Sequence, residues 1–442
     1  MHRPKLHPLA LAIFAGLLQV PAHAALYAVE PGDYNLANGN FPAWYQDSHG
    51  RTLDLCLSKA VSSRVAGAPG APSYMCTLLP TPGVFDDTQD IAFPTNFPDE
   101  AFWFTADAAI TDAARGVNLS YGTAIEAAFS AEEPIDGDQV SFARVRIRVD
   151  VPAAGTYIVT HPYGVEVFDV PAAGRRAINM TRDIGIGGPG DFTGALKGDV
   201  GPFLRSVNGP YIEAGQRFIG DPNLNEQVTG SPFNTNFVRI EGPNGLDLRT
   251  DLFAISGKLS DVVRPTPLIP LRSTYSRRND NGELRAQQDV FVLAPPPPAT
   301  VTLTGPNPTL ALTEANGTGT WYAQSPLNPA LPVTLLLTAD NSAAIANSTP
   351  TEAGLPLTDL VTITRAEYSL SNANLRVEAS SSDESDPPVL TAVSEDGVAI
   401  GEFIGDGTLK TLDRAITPLP PAKVHVTSAH GGSDIEDVVL VP

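Results

Sequence analysis

The chain has 442 residues, which is enough for about three domains of ordinary size. It contains 38 glycines and 41 prolines, yet 42% of its residues are hydrophobic, which excludes a collagen-like or wholly disordered chain and favours many short strands joined by turns. The formal net charge of −21 disfavours binding to nucleic acid or to anionic lipid.

The first 24 residues have the pattern of a secretory signal peptide. Arg3 and Lys5 precede an apolar run at 9–20, and Ala22-His23-Ala24 supplies the small residues typical of a cleavage site. A run of about twelve apolar residues is too short to span a bilayer, so cleavage is preferred over an uncleaved membrane anchor. We predict an exported protein, extracellular, on the cell surface or periplasmic, with no membrane span after cleavage. Its 26 cations and 49 acids then give a net charge of −23.

Residues 25–134 form the first predicted unit, an N-terminal module that is mostly β. Cys56 and Cys76 are the only cysteines, and an exported pair is expected to form a disulfide rather than a metal site. Closing that loop is worth roughly 3 kcal/mol in the chain-entropy model. The aromatic run 102–104 predicts a strand, while the alanine-rich stretch 106–131 is the best helix candidate in the chain.

A dense mixture of aromatic and acidic residues in this module is a candidate ligand site. Aromatic rings stack on sugars or other flat ligands, and carboxylates accept hydrogen bonds or bind calcium. The preferred alternative is that the rings form the core of a small domain and the acids occupy solvated turns. The candidate residues are Trp44, Tyr45, Asp86, Asp87, Asp90, Asp99, Glu100 and Trp103.

Four stretches give the chain a resemblance to a known group of proteins. They are FPAWYQDSHGRTLDLCLS (41–58), FWFTADA (102–108), GTYIVTHPYG (155–164) and SPFNTNFVRIEGP (231–243). These stretches resemble exported bacterial proteins built from Ig-like or fibronectin type III-like β-sandwich modules. The resemblance implies a compartment and a fold, and it implies no activity and no site residue.

A strictly alternating segment organises the second predicted unit, a central β-sandwich at residues 135–264. Between residues 144 and 151 apolar and charged residues alternate, which predicts a strand with one buried and one solvated face. Two further strands are predicted at 157–160 and 165–170. The three strands together are predicted to form a β-meander.

The charged face of that first strand carries the second candidate site. Arg144, Arg146 and Arg148 form a row of cations in an acidic protein. Such a row could recognise carboxylates on an acidic polymer or on a partner protein. The preferred alternative is internal pairing with acids of a neighbouring strand, such as Glu166.

The last part of the chain repeats itself with an offset of about 93 residues, the size of an Ig-like sandwich domain. Residues 271–287 align with residues 364–378. The prolines at 295–298 lie inside the first copy, and a crossing between sheets is preferred over a linker. The two predicted Ig-like repeats are residues 265–356 and 357–442.

Three other motifs could point to ligands. Asn279-Asp280-Asn281-Gly282 is similar to part of a calcium loop, but Asn-Gly between strands is typical of a hairpin, which is preferred. The glycine-rich run 185–190 lacks the strand and helix that a phosphate loop requires. His425 and His430 have no clear third metal ligand. We therefore predict no metal site and no cofactor, with calcium as the one alternative.

The sequence thus predicts an all-β protein of tandem Ig-like β-sandwich domains behind a disulfide-bearing N-terminal module. No catalytic arrangement is recognisable, so the preferred function is an exported binding or structural protein. Its partner would be a glycan, a surface polymer or another protein. One alternative is a secreted polymer-degrading hydrolase with its site in residues 25–264 and Ig-like accessory modules. A second alternative is calcium-dependent assembly on the cell surface.

Overall fold

The computed structural model describes residues 25–304 and 309–442, so the predicted signal peptide lies outside the described residues. The described residues form 36 β-strands and three short 3₁₀ turns, and they contain no α-helix. The predicted all-β fold, with several sheets and an N-terminal disulfide, is confirmed. None of the described segments is a helix with the length and apolar character of a bilayer span.

The first part of the chain contains half of the strands and all three 3₁₀ turns. The strands are β1 (Leu26–Val29), β2 (Trp44–Asp47), β3 (Thr52–Asp54), β4 (Glu100–Asp112), β5 (Val117–Phe129), β6 (Gln139–Val151), β7 (Gly155–His161), β8 (Gly164–Val170), β9 (Gly174–Ile184), β10 (Arg205–Ser206), β11 (Tyr211–Glu213), β12 (Gln216–Phe218), β13 (Glu226–Thr229), β14 (Val238–Gly242), β15 (Leu246–Thr250), β16 (Leu252–Ser256), β17 (Lys258–Leu259) and β18 (Arg264–Pro265). The 3₁₀ turns are Leu36–Asn38, Thr193–Lys197 and Pro243–Gly245.

Three sheets in this part surround one hydrophobic core. Their strand orders are β1-β2-β3-β17-β12-β11, β10-β13-β16-β4-β5-β6-β9 and β15-β14-β7-β8. The core takes buried residues from Leu26 to Ile255. The predicted boundary between residues 134 and 135 lies in the turn between β5 and β6, which are neighbours in one sheet. Residues on both sides of that boundary therefore share a single core.

The segment 139–170 forms the three predicted strands but not the predicted meander. Along β6, Val145, Ile147 and Val149 are fully buried, because this face packs on the core, and the residues between them are partly exposed. β6 pairs with β5 and β9, whereas β7 pairs with β8 and β14 in a different sheet. The turn after Val151 therefore crosses between two sheets that share the core.

The alanine-rich stretch 106–131, the best helix candidate in the sequence, is not a helix. It forms most of the β4–β5 hairpin. Ala106, Ala108 and Ile110 are buried while the residues between them are exposed. This period of two belongs to a strand that packs one face on a core. The high helix propensity of alanine is overridden by tertiary packing.

The last part of the chain forms two β-sandwiches. The strands of the first are β19 (Ile269–Asp280), β20 (Glu283–Leu293), β21 (Thr300–Thr304), β22 (Leu310–Ala311), β23 (Thr313–Ala315), β24 (Thr320–Gln324), β25 (Thr334–Asp340), β26 (Ser348–Thr349), β27 (Thr351–Pro356) and β28 (Thr358–Asp359). Those of the second are β29 (Val361–Ser369), β30 (Asn374–Ser381), β31 (Leu390–Ser394), β32 (Ala399–Glu402), β33 (Leu409–Ala415), β34 (Lys423–Ser428), β35 (Ser433–Asp437) and β36 (Val439–Val441).

The sheets of these two sandwiches enclose separate cores. The first sandwich packs β23-β24-β20-β19-β28 against β22-β21-β25-β27. The second packs β33-β30-β29-β36 against β32-β31-β34-β35. The prolines at 295–298 connect β20 in one sheet to β21 in the other, so they form the predicted crossing between sheets.

The leading strands of the two sandwiches share a register shift at corresponding positions, although the β19–β20 ladder is longer than the β29–β30 ladder. The register of β19 and β20 shifts between Pro270 and Arg272. The register of β29 and β30 shifts between Ile363 and Arg365, at the offset of 93 residues predicted from the sequence. In both sandwiches the leading strand also takes a short parallel strand on its other side, β28 or β36. The two modules therefore share one structural plan.

Candidate functional site on the arginine face

The aromatic residues of the first candidate site are core residues. Trp44, Tyr45 and Trp103 expose 4%, 0% and 0% of their surfaces. The ring centroids of Tyr45 and Trp103 lie 4.7 Å apart in an edge-to-face contact. The indole Nε1 of Trp103 donates to the carbonyl of Pro42 at 3.1 Å, so its polar group is satisfied inside the core. These rings pack inward, as in the preferred interpretation, and none of the three lines an open cleft.

Four of the five acidic residues of that site, all except Glu100, lie in the loops between β3 and β4. Glu100 is the first residue of β4, and its carboxylate lies 4.0 Å from Nη1 of Arg144. Asp86 accepts hydrogen bonds from the backbone N–H and the hydroxyl of Thr88, which hold the pKa of its carboxyl below the usual value. Asp99 accepts a hydrogen bond from the hydroxyl of Thr81 at 2.9 Å. Asp87 is half-buried and Asp90 is exposed. The structure does not bring these acids together with the buried rings into one site.

The second candidate site lies on the solvent side of the seven-stranded sheet. The register places Arg146 of β6 beside Gly122 of β5 and Thr181 of β9, and it places Gly122 beside Asp107 of β4. Asp107 can lie over Gly122 because a Cβ there would be only 2.9 Å from its carboxylate. We call this surface, on β4, β5, β6 and β9, the arginine face. Its residues are Asp107, Ser120, Gly122, Glu126, Arg144, Arg146, Arg148, Asn179, Thr181 and Asp183.

A groove of about 250 Å³ runs along the arginine face. Thr77 and Leu79, which follow the disulfide loop, form part of its wall. The hydroxyl of Thr77 lies 3.2 Å from the hydroxyl of Thr105 on β4, and its backbone N–H donates to Ser256 on β16. The disulfide between Cys56 and Cys76, with a Cα–Cα distance of 5.3 Å, anchors the chain just before this wall.

Arg144 is paired internally, as the preferred interpretation expects, although its partners are not the one suggested. Its Nε and Nη2 atoms donate to Asp183 of β9 at 2.7 and 3.0 Å, and its Nη1 donates to Glu126 of β5 at 3.0 Å. Glu166 instead pairs with Arg182. Neighbouring strands therefore neutralise one end of the arginine row.

Arg146 and Arg148 have no such partner. Among the described residues neither guanidinium has a carboxylate within 4.0 Å, and the Nε atom of each is buried without a hydrogen bond. Repulsion from Arg146, and more weakly from Arg176 and Arg144, lowers the pKa of Arg148. Unpaired like charges side by side cost energy that an anion bound between them would offset.

Two carboxyls of the groove have perturbed pKa values. Burial raises the pKa of Glu126 to about 8, against the attraction of Arg144. Asp107 is reached by solvent through the groove, but the groove walls partly desolvate it and raise its pKa to about 6, against the attraction of Arg146. Both residues lie in the alanine-rich stretch 106–131, the best helix candidate, so sequence reasoning missed them. Only the pairing of β4, β5 and β6 brings them beside the arginines.

The remaining sequence motifs have structural roles. Asn281 and Gly282 have φ angles of 55° and 89° and form the two-residue turn between β19 and β20, as the hairpin interpretation expects. A Cβ on Gly185 would lie 2.2 Å from the backbone of residue 194, so this glycine permits a close chain approach. Across residues 25–304 and 309–442 no three His, Cys, Asp or Glu side chains are arranged to hold a metal ion.

Comparisons with known proteins show no family for this chain. No protein-family model matches it, and no curated protein matches its sequence. The resemblance to exported bacterial proteins therefore stays a prediction.

Among solved structures, the ectodomain of a teleost fish polymeric Ig receptor is 6% identical and covers 39% of this chain and 98% of its own, with a TM-score of 0.21. A bacterial ice-binding adhesin is 11% identical, covers 68% of this chain and 91% of its own, and has a TM-score of 0.15. The ectodomain of mouse nectin-like molecule 4 is 12% identical, covers 54% and 88%, and has a TM-score of 0.15. TM-scores of 0.15 to 0.21 are too low to indicate a shared function.

Proposed function

We propose that this protein is an exported binding protein whose arginine face recognises a carboxylated polysaccharide. The observation that supports the proposal is the pair Arg146 and Arg148, two partly exposed guanidinium groups side by side on a groove, neither with a carboxylate within 4.0 Å among the described residues. A guanidinium matches a carboxylate with two parallel hydrogen bonds, so this pair favours ligands that carry carboxylates in a row.

The spacing and polarity of the arginine face fit an extended sugar chain. Alternate residues on one strand are about 6.7 Å apart, so the two free arginines can contact successive acidic units. Ser120, Asn179 and Thr181 are exposed around them. Hydroxyl and amide groups both donate and accept hydrogen bonds, as sugar hydroxyls do.

The disulfide and the N-terminal pattern support an exported, cell-surface or extracellular location. The bond between Cys56 and Cys76 persists only in an oxidising compartment, since cytosolic thiols are kept reduced. The predicted signal peptide at residues 1–24 points to the same compartment.

The hydrolase alternative has one observation in its favour, the perturbed carboxyls Asp107 and Glu126 in the same groove. Perturbed pKa values cluster at catalytic sites. However, Asp107 on β4 lies opposite Gly122 on β5, and Gly122 is four residues from Glu126 along β5. The backbone positions of the two acids are therefore about 13 Å apart along the strand direction. Glu126 is also only 1% exposed and bonded to Arg144, so it is poorly placed to reach a sugar chain, and binding is favoured over glycoside hydrolysis.

The test is a calorimetric titration of the full mature chain with polygalacturonate and with its fully methyl-esterified form. We expect binding to the acidic polymer only, because the ester keeps the sugar backbone and removes the carboxylates. The double variant Arg146→Gln/Arg148→Gln should bind at least tenfold more weakly, since charged hydrogen bonds contribute about 1.5 to 3 kcal/mol each.

Two exposed arginines of the C-terminal sandwiches provide the matched control. Arg278→Gln/Arg414→Gln changes the net charge equally, and it should leave the affinity unchanged. Equal binding to the acidic and esterified polymers, or equal weakening by the two double variants, would refute the proposal. Release of shorter chains from polygalacturonate, lost in Asp107→Asn or Glu126→Gln, would favour the hydrolase instead.

A further inference from the structure

A second arginine-rich cavity lies where the first part of the chain meets the first sandwich. Its volume is about 300 Å³, which is at the lower end of the range for small-molecule sites. Four arginines from three separate segments line it. They are Arg51, Arg205, Arg217 and Arg264.

Among the described residues, three of the four cavity arginines have no carboxylate within 4.0 Å. Only Arg217 has an acidic partner, Asp261, which is itself highly exposed. Among the described residues, the side chains of Arg51 and Arg205 make no hydrogen bond or ion pair. The guanidinium of Arg264 lies 4.2 Å from the centre of the Trp44 ring, and its Nε is buried without a partner.

The carboxylate that attracts Arg51 and Arg205, that of Asp47, already accepts three backbone hydrogen bonds. Asp47 is fully buried. Its Oδ1 accepts from the backbone N–H groups of His49 and Arg51 at 3.0 and 2.8 Å, and its Oδ2 accepts from that of Phe203 at 2.8 Å. Burial, and then repulsion from Arg51, lower the pKa of Arg205 to about 10, and the attraction of Asp47 opposes them only in part.

The cavity wall is contributed by two structural units and is partly apolar. Ile219 and Val262 belong to the first part of the chain, and Ile345 belongs to the loop after β25. The Nδ2 of Asn347, in the same loop, donates to the carbonyl oxygens of Val262 at 2.7 Å and Ser260 at 3.3 Å. A molecule in the cavity would therefore contact both units at once.

We propose that this cavity binds a small organic anion with at least two carboxylate or phosphate groups, and that binding clamps the first sandwich to the N-terminal part. Three guanidinium groups call for a multiply charged ligand, and the apolar wall accommodates a carbon skeleton. The site is separate from the arginine face and does not depend on the polysaccharide proposal.

The experiment is a calorimetric titration of the full mature chain with citrate and with inorganic phosphate at matched ionic strength. We expect saturable binding with one site per chain, and the tighter probe identifies carboxylate or phosphate as the preferred group. Arg205→Gln should weaken binding at least tenfold, whereas the exposed control Arg414→Gln should leave it unchanged. The double variant Arg146→Gln/Arg148→Gln should also bind normally, because its substitutions are on the arginine face.

A second variant tests the cavity without changing its charge. Ala346 is exposed on the rim, so Ala346→Trp should fill the opening, keep all four arginines and weaken binding at least tenfold. The absence of saturable binding by both probes would overturn the proposal. Affinities in Arg205→Gln and Ala346→Trp equal to that of the unmodified chain would do the same.

Discussion

Replacing Arg277 by methionine is expected to destabilise the contact between the two C-terminal sandwiches. The Nε of Arg277 lies 2.9 and 3.1 Å from the two carboxylate oxygens of Asp383, whose side chain is fully buried. Burial acts to raise the pKa of Asp383, but hydrogen bonds from Arg277, the N–H of Asp386 and Tyr275 outweigh it and keep that pKa below its usual value. Without Arg277 a buried carboxylate loses its only arginine partner.

The size of the effect follows from this geometry. Removing one partner of a buried ion pair costs about 3 to 5 kcal/mol. Arg277 keeps 27% of its side chain exposed, Tyr275 and the Asp386 N–H still bond to Asp383, and His430 lies 3.3 Å from its carboxylate, so we expect about 3 kcal/mol. Because the pKa is depressed in the folded state, this stabilisation is present above the unfolded value of about 4 and is lost as the pH falls through the folded value.

Urea unfolding of the full mature chain at pH 7 and below pH 4 measures the change. The difference in unfolding free energy between the unmodified chain and Arg277→Met should be largest at pH 7 and should shrink in acid. The control is Arg376→Met, whose pairs with Glu378 and Asp413 lie on the surface and should contribute about 0 to 1 kcal/mol. Equal losses in the two variants, or a difference independent of pH, would refute the reasoning.

Three further predictions concern the first part of the chain. Because burial raises the pKa of Glu126 to about 8, the unfolding free energy of the wild-type chain should fall by a few kcal/mol as the pH rises from about 4.5 through 8. Glu126→Gln should abolish this fall when unfolding by urea is measured across the same pH range, and a pH profile unchanged by the substitution would contradict the prediction. Cys56→Ser/Cys76→Ser should lower the unfolding free energy by roughly 3 kcal/mol. The wild-type chain measured in reductant should have the same unfolding free energy as this variant. Gly185→Ala should cost more than about 3 kcal/mol in thermal unfolding, whereas Gly188→Ala, with open space around it, should stay within about 0.5 kcal/mol; similar costs would disprove the close-approach argument.

Local features of the fold were predictable because each depends on residues near one another in the chain. The alternation of Val145, Ile147 and Val149 with arginines identifies β6, since only a strand separates successive side chains onto two faces. Asn281-Gly282 identifies a hairpin because both residues accept positive φ. These signals need no knowledge of which strands pair.

The assembly of strands into sheets was not predictable in the same way. The crossing after Val151 and the single core across residues 134 and 135 depend on which distant strands pair. For the same reason the alanine-rich hairpin is the best helix candidate in the sequence, because alanine propensity is a local signal and the packing that overrides it is not.

The candidate sites follow the same division. The row at Arg144, Arg146 and Arg148 was visible because it lies on one strand. The neutralisation of Arg144 was not predictable from the sequence, because its partners Asp183 and Glu126 come from two other strands. The cavity arginines are scattered from residue 51 to residue 264, and no sequence pattern connects them.

The most direct test of the proposed function is a crystal structure of the full mature chain grown with a trigalacturonate. We predict that the sugar lies along the groove of the arginine face, with its carboxylates within hydrogen-bond distance of Arg146 and Arg148. A bound sugar that makes no contact with either arginine, or an arginine face left empty at saturating ligand, would contradict the account.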